Sequence, residues 1–423
     1  MHPLALLMMI FLAMSLAIEW YLSIRQQAHL LAGRDQVPAR FADEVSLAEH
    51  RKAVDYALAK LRLARWGWLW QAVLLLGWTL GGGLDALDTW VRETGWSQLV
   101  CGVAVMVAYF VFAQLFELPL QAWAVFGVET RFGFNRMSLG LFVGDQVKQG
   151  VLLVLLGAPL AWVMLWLMHI AGGNWWWLAW AVWTLFSLFL LWAFPTLIAP
   201  LFNRFEPLPE GELKARIQAL LDRCGFTASG LYVMDGSRRS AHGNAYFTGF
   251  GRAKRIVFFD TLLERLEADE VCAVLAHELG HFRAGHVRKR WLFVSILSLF
   301  GFALLGAVAD MPWFYHALGV THPSPHMALL LFVLTVPVFF FWVGPLGNAL
   351  SRRHEFEADA YAVAHANGAR LISALVKMYR DNAAPLDPDA WYSAWHDSHP
   401  PAMMRIAHIE RALRAQGGGH VQG

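Results

Sequence analysis

The chain has 423 residues, 57% of them hydrophobic and only 16% charged, with a formal net charge of +2. Globular proteins average roughly 25% charged residues, so this composition excludes a purely soluble enzyme. So small a net charge also argues against nucleic acid as a partner.

The apolar content lies in uncharged blocks at 3–17, 66–84, 94–116, 149–203, 291–309 and 312–351. A helix rises 1.5 Å per residue, so about 20 residues cross the hydrocarbon core. The 149–203 block is too long for one crossing and breaks at Ala171-Gly172-Gly173-Asn174. Seven spans are predicted, near 3–22, 66–86, 98–120, 149–170, 175–196, 291–310 and 327–350. Residues 1–22 lack the basic start of a cleaved signal, which favours a retained first span. Tryptophans near span ends, such as Trp66, Trp68, Trp70 and Trp175–Trp177, suit the lipid–water interface.

Basic residues orient the chain. The 23–65 loop carries Arg25, Arg34, Arg40, Arg51, Lys52, Lys60, Arg62 and Arg65, and the 121–148, 197–290 and C-terminal segments are also basic. The 87–97 loop has only Arg92, and 171–174 and 311–326 have none. This alternation predicts an outer N-terminus and a cytoplasmic C-terminus. Cys101, Cys224 and Cys272 form neither a disulfide framework nor a metal-binding spacing.

The cytoplasmic part comes in four pieces. Residues 23–65 read as an amphipathic helical loop, and 121–148 contain "ETRFGFNRMSLG". The insert 197–290 opens with a Pro-rich entry, then an amphipathic helix ending at Gly225. Strand candidates follow at 230–235, 244–250 and 255–260, the last two joined by a hairpin over Gly251 to Lys254. The acidic "EADE" (267–270) opens a helix predicted to run unbroken into the sixth span. Residues 351–423 read as helical with a Gly-rich tail. The expected fold is an all-α polytopic membrane protein with a cytoplasmic domain of helices and a small β-sheet. The units are 1–196, 197–290, 291–350 and 351–423.

Within the insert, "AHELGHFRAGH" (276–286) carries the chemistry. His277 and His281 are four apart and share one helix face, where both imidazoles can bind a single Zn²⁺. Glu278 beside them is placed to act as general base for a metal-bound water. The HExxH pattern alone arises by chance in roughly a few per cent of chains this rich in His, so it needs support. His286, nine residues after His277, turns to the opposite side of a continuous helix and is expected to be structural.

A catalytic zinc needs a third protein ligand. The metzincin continuation is absent, because position 287 is Val. The best supply is "ALSRRHEFEADAYA" (349–362), just past the seventh span. Glu355 and Asp359 are four apart, so Glu355 could bind the metal while Asp359 orients a ligand histidine. His354 and Asp359 are rival ligands, and Glu357 is expected to be solvated.

Together "VLAHELGH", "SRRHEFEADAYA" and "DSHPPAMMRI" resemble the type I CAAX prenyl endopeptidases, integral-membrane zinc proteases of the gluzincin group. "ETRFGFNR", "PLFNRFEPLPEGEL", "MDGSRRSAHGNAYFTGF" and "RIVFFDTLL" match that family's signatures in order, from the third span to about residue 410. The resemblance implies that His277, His281 and Glu355 hold one Zn²⁺ and that Glu278 is the base. It places His399 at the substrate, where it could stabilise an oxyanion, with Arg405 nearby as a further substrate contact. It makes Asn244 and Ala245 contacts for a substrate added to a sheet edge as an extended strand. It further implies a water-accessible chamber enclosed by the spans.

About ten residues, or about 15 Å of helix, separate His281 from the membrane entry near Trp291. The substrate is therefore expected to be a peptide or protein attached to or near the bilayer. A prenyl group on it depends on the organism. The compartment is the inner membrane of a bacterium or the endoplasmic reticulum membrane of a eukaryote. The alternatives are a heat-shock-type quality-control protease, usually with fewer spans, and a transporter with structural zinc. The spans' few charges, Glu117 the clearest, speak against the transporter.

Overall fold

The apolar blocks fold as long helices in a computed structural model that describes residues 2–248 and 255–418. The end of the second strand candidate (249–250), the hairpin at 251–254 and the tail beyond 418 lie outside the described residues. The described helices include Pro3–Gly33, Leu47–Trp78, Gln98–Ala122, Leu139–Ile170, Trp175–Ala193 and His286–Val308. Five helical stretches are long and apolar enough to cross a bilayer. The pair Pro325–Phe339 and Val343–His365, bent by 68° at a short break, makes a sixth if it is one broken span rather than a re-entrant loop.

This corrects two predicted spans. The 66–86 span ends early, since its helix stops at Trp78 and gives way to Gly82 in the left-handed region (φ 76°). Leu47–Trp78 carries Arg62 and Arg65 just before its apolar stretch and is not among the five. The 327–350 span is two helices rather than one, with Pro337 inside the first. Much of the predicted cytoplasmic loop sequence is helix continuous with a span. Pro3–Gly33 outruns residue 22, and the Ser46–Glu49 capping box starts Leu47–Trp78 well before residue 66.

Burial along the spans is uneven. Among the described residues, none is buried at 9–21, 62–71, 110–127, 146–160, 180–192, 296–304 or 339–354. Buried side chains cluster instead near the helix ends. One cluster joins Met8, Leu84, Val105, Leu165, Leu305 and Leu330. A solid bundle would show one buried stripe along each helix. Here the mid-span side chains are only partly buried, although Trp180 Nε1 still donates to Ser295 O and Trp291 Nε1 to Ser187 Oγ between two of the helices.

The second large cluster belongs to the insert and the C-terminal helices, with Ile217, Leu220, Phe258, Leu275, Leu371 and Ile409 at its centre. Its sheet has the order β1-β2-β4-β3. β2 (Gly230–Met234), β3 (Ala245–Thr248) and β4 (Arg255–Phe259) match the predicted strands. β2 and β4 are parallel, while β3 is antiparallel to β4. β1 (Phe205–Pro207) was not predicted, because three residues are too short to show alternation. The amphipathic helix Glu212–Arg223 buries Ile217, Leu220 and Leu221, and the chain turns at Gly225 (φ 60°).

The motif helix, Ala268–Arg283, opens on a reciprocal cap between Glu267 and Glu270. Glu270 is buried against Lys377 and Ser373, which ties the helix start to Gly368–Asp381. The predicted unbroken run into the membrane does not occur. Gly285 adopts φ 66°, ends the helix, and His286 begins a new one.

Candidate metal centre

Two helices carry the site, and their approach is set by a glycine. A Cβ at Gly280 would lie 2.9 Å from Ala358 Cα and 3.0 Å from Tyr361 Cβ. Only hydrogen fits there, so Ala268–Arg283 and Val343–His365 come close enough for His277 and His281 to meet Glu355. Gly280→Ala is expected to spread the helices at a cost of about 1–3 kcal/mol, as over-packing does. Thermal melting and bound-metal content of the purified variant should fall together; wild-type values for both would refute this account.

The three side chains converge. One ligand atom from each of His277, His281 and Glu355 lies within 4.8 Å of the others. The Nε2 atoms of the two histidines are 3.1 Å apart, and His281 Nε2 lies 3.1 Å from Glu355 Oε1. Glu355 is buried, and its Oε2 accepts no hydrogen bond among the described residues. Two imidazole nitrogens and a buried carboxylate converging on one point suit a divalent metal ion. The donor set therefore fits a metal.

The outer nitrogens are also engaged. His277 Nδ1 is 2.8 Å from Asp359 Oδ1, as the i,i+4 spacing of Glu355 and Asp359 anticipates. Asp359 is fully buried and accepts two bonds from Arg405, at 3.0 Å from Nε and 2.6 Å from Nη2. Arg405 is only 6% exposed and sits behind the ligands, with Nη1 3.4 Å from Glu355. The expectation of a substrate contact at Arg405 is thus corrected. Its guanidinium is spent on two buried carboxylates.

His286 stays outside the ligand set, as expected, but not on the opposite side of the helix. The break at Gly285 redirects His286, whose Nδ1 comes 2.9 Å from His281 Nδ1. Its Nε2 lies 3.1 Å from Glu357 Oε2, and Glu357 is exposed, as expected, while pairing with that ring. His354, a rival ligand by spacing, instead stacks on His286 with ring centroids 3.9 Å apart.

Glu278 is half-buried, and no hydrogen bond holds its carboxylate among the described residues. Burial raises its pKa above the usual carboxylate range. His399 is exposed, with Nε2 3.4 Å from Glu355 Oε1 and Nδ1 bonded to Ser398 at 3.0 Å. It borders a cavity of ≈ 670 Å³ that also touches Gln26, Tyr56, Lys60, His242 and Tyr379.

β3 is an edge strand that packs along the motif helix. Asn244, exposed at its start, folds its side chain onto Ala245 N at 2.8 Å, while Ala245 is buried. The segment leading into β3 is pinned to the membrane helices. Arg239 donates to both Asp145 oxygens at 2.8 and 3.0 Å, and His242 stacks on Phe134 at 4.3 Å near Glu129. Sequence reasoning did not single out His242, although "ETRFGFNR" and "SAHGNAY", which supply this contact, stood together among the matching motifs.

Comparison with known proteins agrees with this architecture. Residues 26–204 match the model for the CAAX prenyl protease N-terminal region, five membrane helices, and residues 207–413 match peptidase family M48. A "CAAX prenyl protease 1 homolog" of Arabidopsis thaliana is 34% identical over 315 residues, covering 74% of each chain. The Homo sapiens homologue is 30% identical over 442 residues, covering 92% of this chain and 91% of its own. Among solved structures, Ste24p of S. mikatae superposes with a TM-score of 0.89 at 27% identity, covering 97% of this chain and 99% of that one.

Proposed function

Since the chain belongs to the type I CAAX prenyl endopeptidases of peptidase family M48, multi-pass membrane metalloendopeptidases, we propose that it cuts peptide bonds of bilayer-attached substrates with one zinc ion held by His277, His281 and Glu355. The observation that carries this is the convergence of those three side chains in a buried pocket. Bound there, Zn²⁺ supplies Lewis-acid polarisation of the scissile carbonyl and lowers the pKa of a water molecule.

The remaining work falls to the protein. Asp359 fixes the ring of His277 and keeps its Nε2 turned to the ligand cluster. Arg405 neutralises Asp359 and holds it in place. Glu278, untied and raised in pKa, takes a proton from the attacking water and returns it to the leaving amine. His399, exposed at the rim, offers an N–H to negative charge developing on the carbonyl oxygen. The free edge of β3 receives the substrate as an added strand, with the backbone of Asn244 and Ala245 at its start.

Leu47–Trp78, the five apolar stretches and the bent pair together make seven crossings. The N-terminus then lies outside and the zinc site at the cytoplasmic face, within the inner membrane of a bacterium or the endoplasmic reticulum membrane of a eukaryote. The partly buried faces of the spans line a chamber, and the cavity beside His399 is its opening toward the site. Curated relatives are named for CAAX prenyl proteins. The C-terminal peptide of a membrane-attached protein is accordingly the substrate class.

Removing metal from purified protein with a chelator should abolish cleavage of such a reporter peptide. One equivalent of Zn²⁺ should restore it. Cleavage that survives full metal removal would refute the proposal.

A further inference from the structure

The two ligand histidines are supported differently, and the difference carries an assignment. His277 rests directly on a buried carboxylate, Asp359. His281 has no carboxylate at its Nδ1; there it meets another ring, His286 Nδ1, at 2.9 Å. We propose that His286 is a positioning residue for His281, relaying the carboxylate of Glu357 to the outer nitrogen of that ligand.

The hydrogen bonds fix a consistent set of tautomers. With Nε2 of His281 turned to the ligand cluster, its Nδ1 carries the proton and donates to His286 Nδ1. His286 must then carry its own proton on Nε2, which donates to Glu357 Oε2 at 3.1 Å. Both donors find acceptors, and the last acceptor is anionic. Reversing either tautomer would set two lone pairs or two protons against each other. Metal-ligating histidines usually donate their other N–H to a carboxylate, carbonyl or water, which orients the ring and raises its basicity. Here an intervening ring transmits that effect.

The backbone is built for this contact. Gly285 at φ 66° ends the motif helix, so His286 folds back beside His281 instead of pointing away. A residue with a Cβ is strained at that angle. His286 is 5% exposed, and His354 stacks flat on it, 10° from parallel. Arg353 reaches the other oxygen of Glu357 at 3.3 Å, holding it toward the ring. The relay also joins the start of the His286–Val308 span to the helix that carries Glu355.

The inference rests on the zinc reading above, so its test reads metal affinity rather than cleavage. Zinc would be withdrawn from full-length detergent-solubilised protein by a competing fluorescent chelator. His286→Leu should bind zinc about 10–100-fold more weakly, the range for losing such a support. His286→Gln, which can accept from His281 and donate to Glu357, should stay within a few-fold of wild type. Glu357→Leu, at the exposed end of the relay, should weaken zinc in the same direction without a packing defect. Wild-type affinity in both leucine variants would overturn the relay. Equal losses in His286→Gln and His286→Leu would do the same, because they mark a role in packing alone. Zinc that survives His281→Ala would overturn the metal assignment itself, and the relay with it.

Discussion

Glu278→Gln is expected to lower kcat/KM by about 10²–10⁴-fold, the range for losing a general base, while zinc content stays at one per chain. The exchange keeps shape and hydrogen-bonding capacity but removes the group that accepts a proton. Nothing structural should follow, because no hydrogen bond ties the Glu278 carboxylate among the described residues. Burial raises its pKa, which strengthens it as a proton acceptor. Single-turnover cleavage together with elemental analysis separates chemistry from metal loss. Activity within a few-fold of wild type, with zinc retained, would remove Glu278 from the mechanism.

Arg405→Met is expected to cost about 3–5 kcal/mol of stability, the penalty for breaking a buried ion pair from one side. Asp359 is fully buried, and Arg405 donates two of the bonds that compensate its charge. Without them the carboxylate either stays ionised in a dry environment or takes a proton, and it ceases to hold His277 Nδ1 as an anion. Zinc affinity should fall with stability. The double variant Asp359→Asn with Arg405→Met should lose less than the two single changes added together, since one pair cannot be broken twice. Additive losses would show that the two side chains do not act as a unit. Thermal melts of the four proteins in one detergent decide the matter.

These two residues illustrate what the sequence could and could not tell. Glu278 was visible from its place between two histidines, and Glu355 and Asp359 from their i,i+4 spacing past a span. Local spacing finds such groups because one helix fixes their angles. Arg405 lies 46 residues beyond Asp359 on the helix Ala402–Gly418, and no periodicity links them. Its motif was legible as a resemblance, but its burial was not. His286 was misplaced for a different reason. The turn of 100° per residue was carried across Gly285, although Gly near a helix end is a common stop signal. The same kind of error straightened the last span, where Pro337 and the pair Gly344-Pro345 flank the bend. In the second span, the glycines Gly81, Gly82 and Gly83 were the stop signal, and the helix ends at Trp78 before them.

The partly buried middles of the spans bear on kinetics as well as architecture. A peptide admitted to the proposed chamber between these helices would no longer sample bulk solution. It would share a confined volume with the proposed metal site, and confinement of this kind raises effective concentration. Weak strand pairing at β3 is then sufficient for occupancy, and the apparent KM reports the ease of entry more than the strength of contact. A product still tethered inside would meet the metal again before it could leave, so successive cuts need no second encounter. Discrimination among substrates therefore falls on the walls and openings of the compartment, far from the zinc, where changes that touch no catalytic atom would alter which proteins are cut.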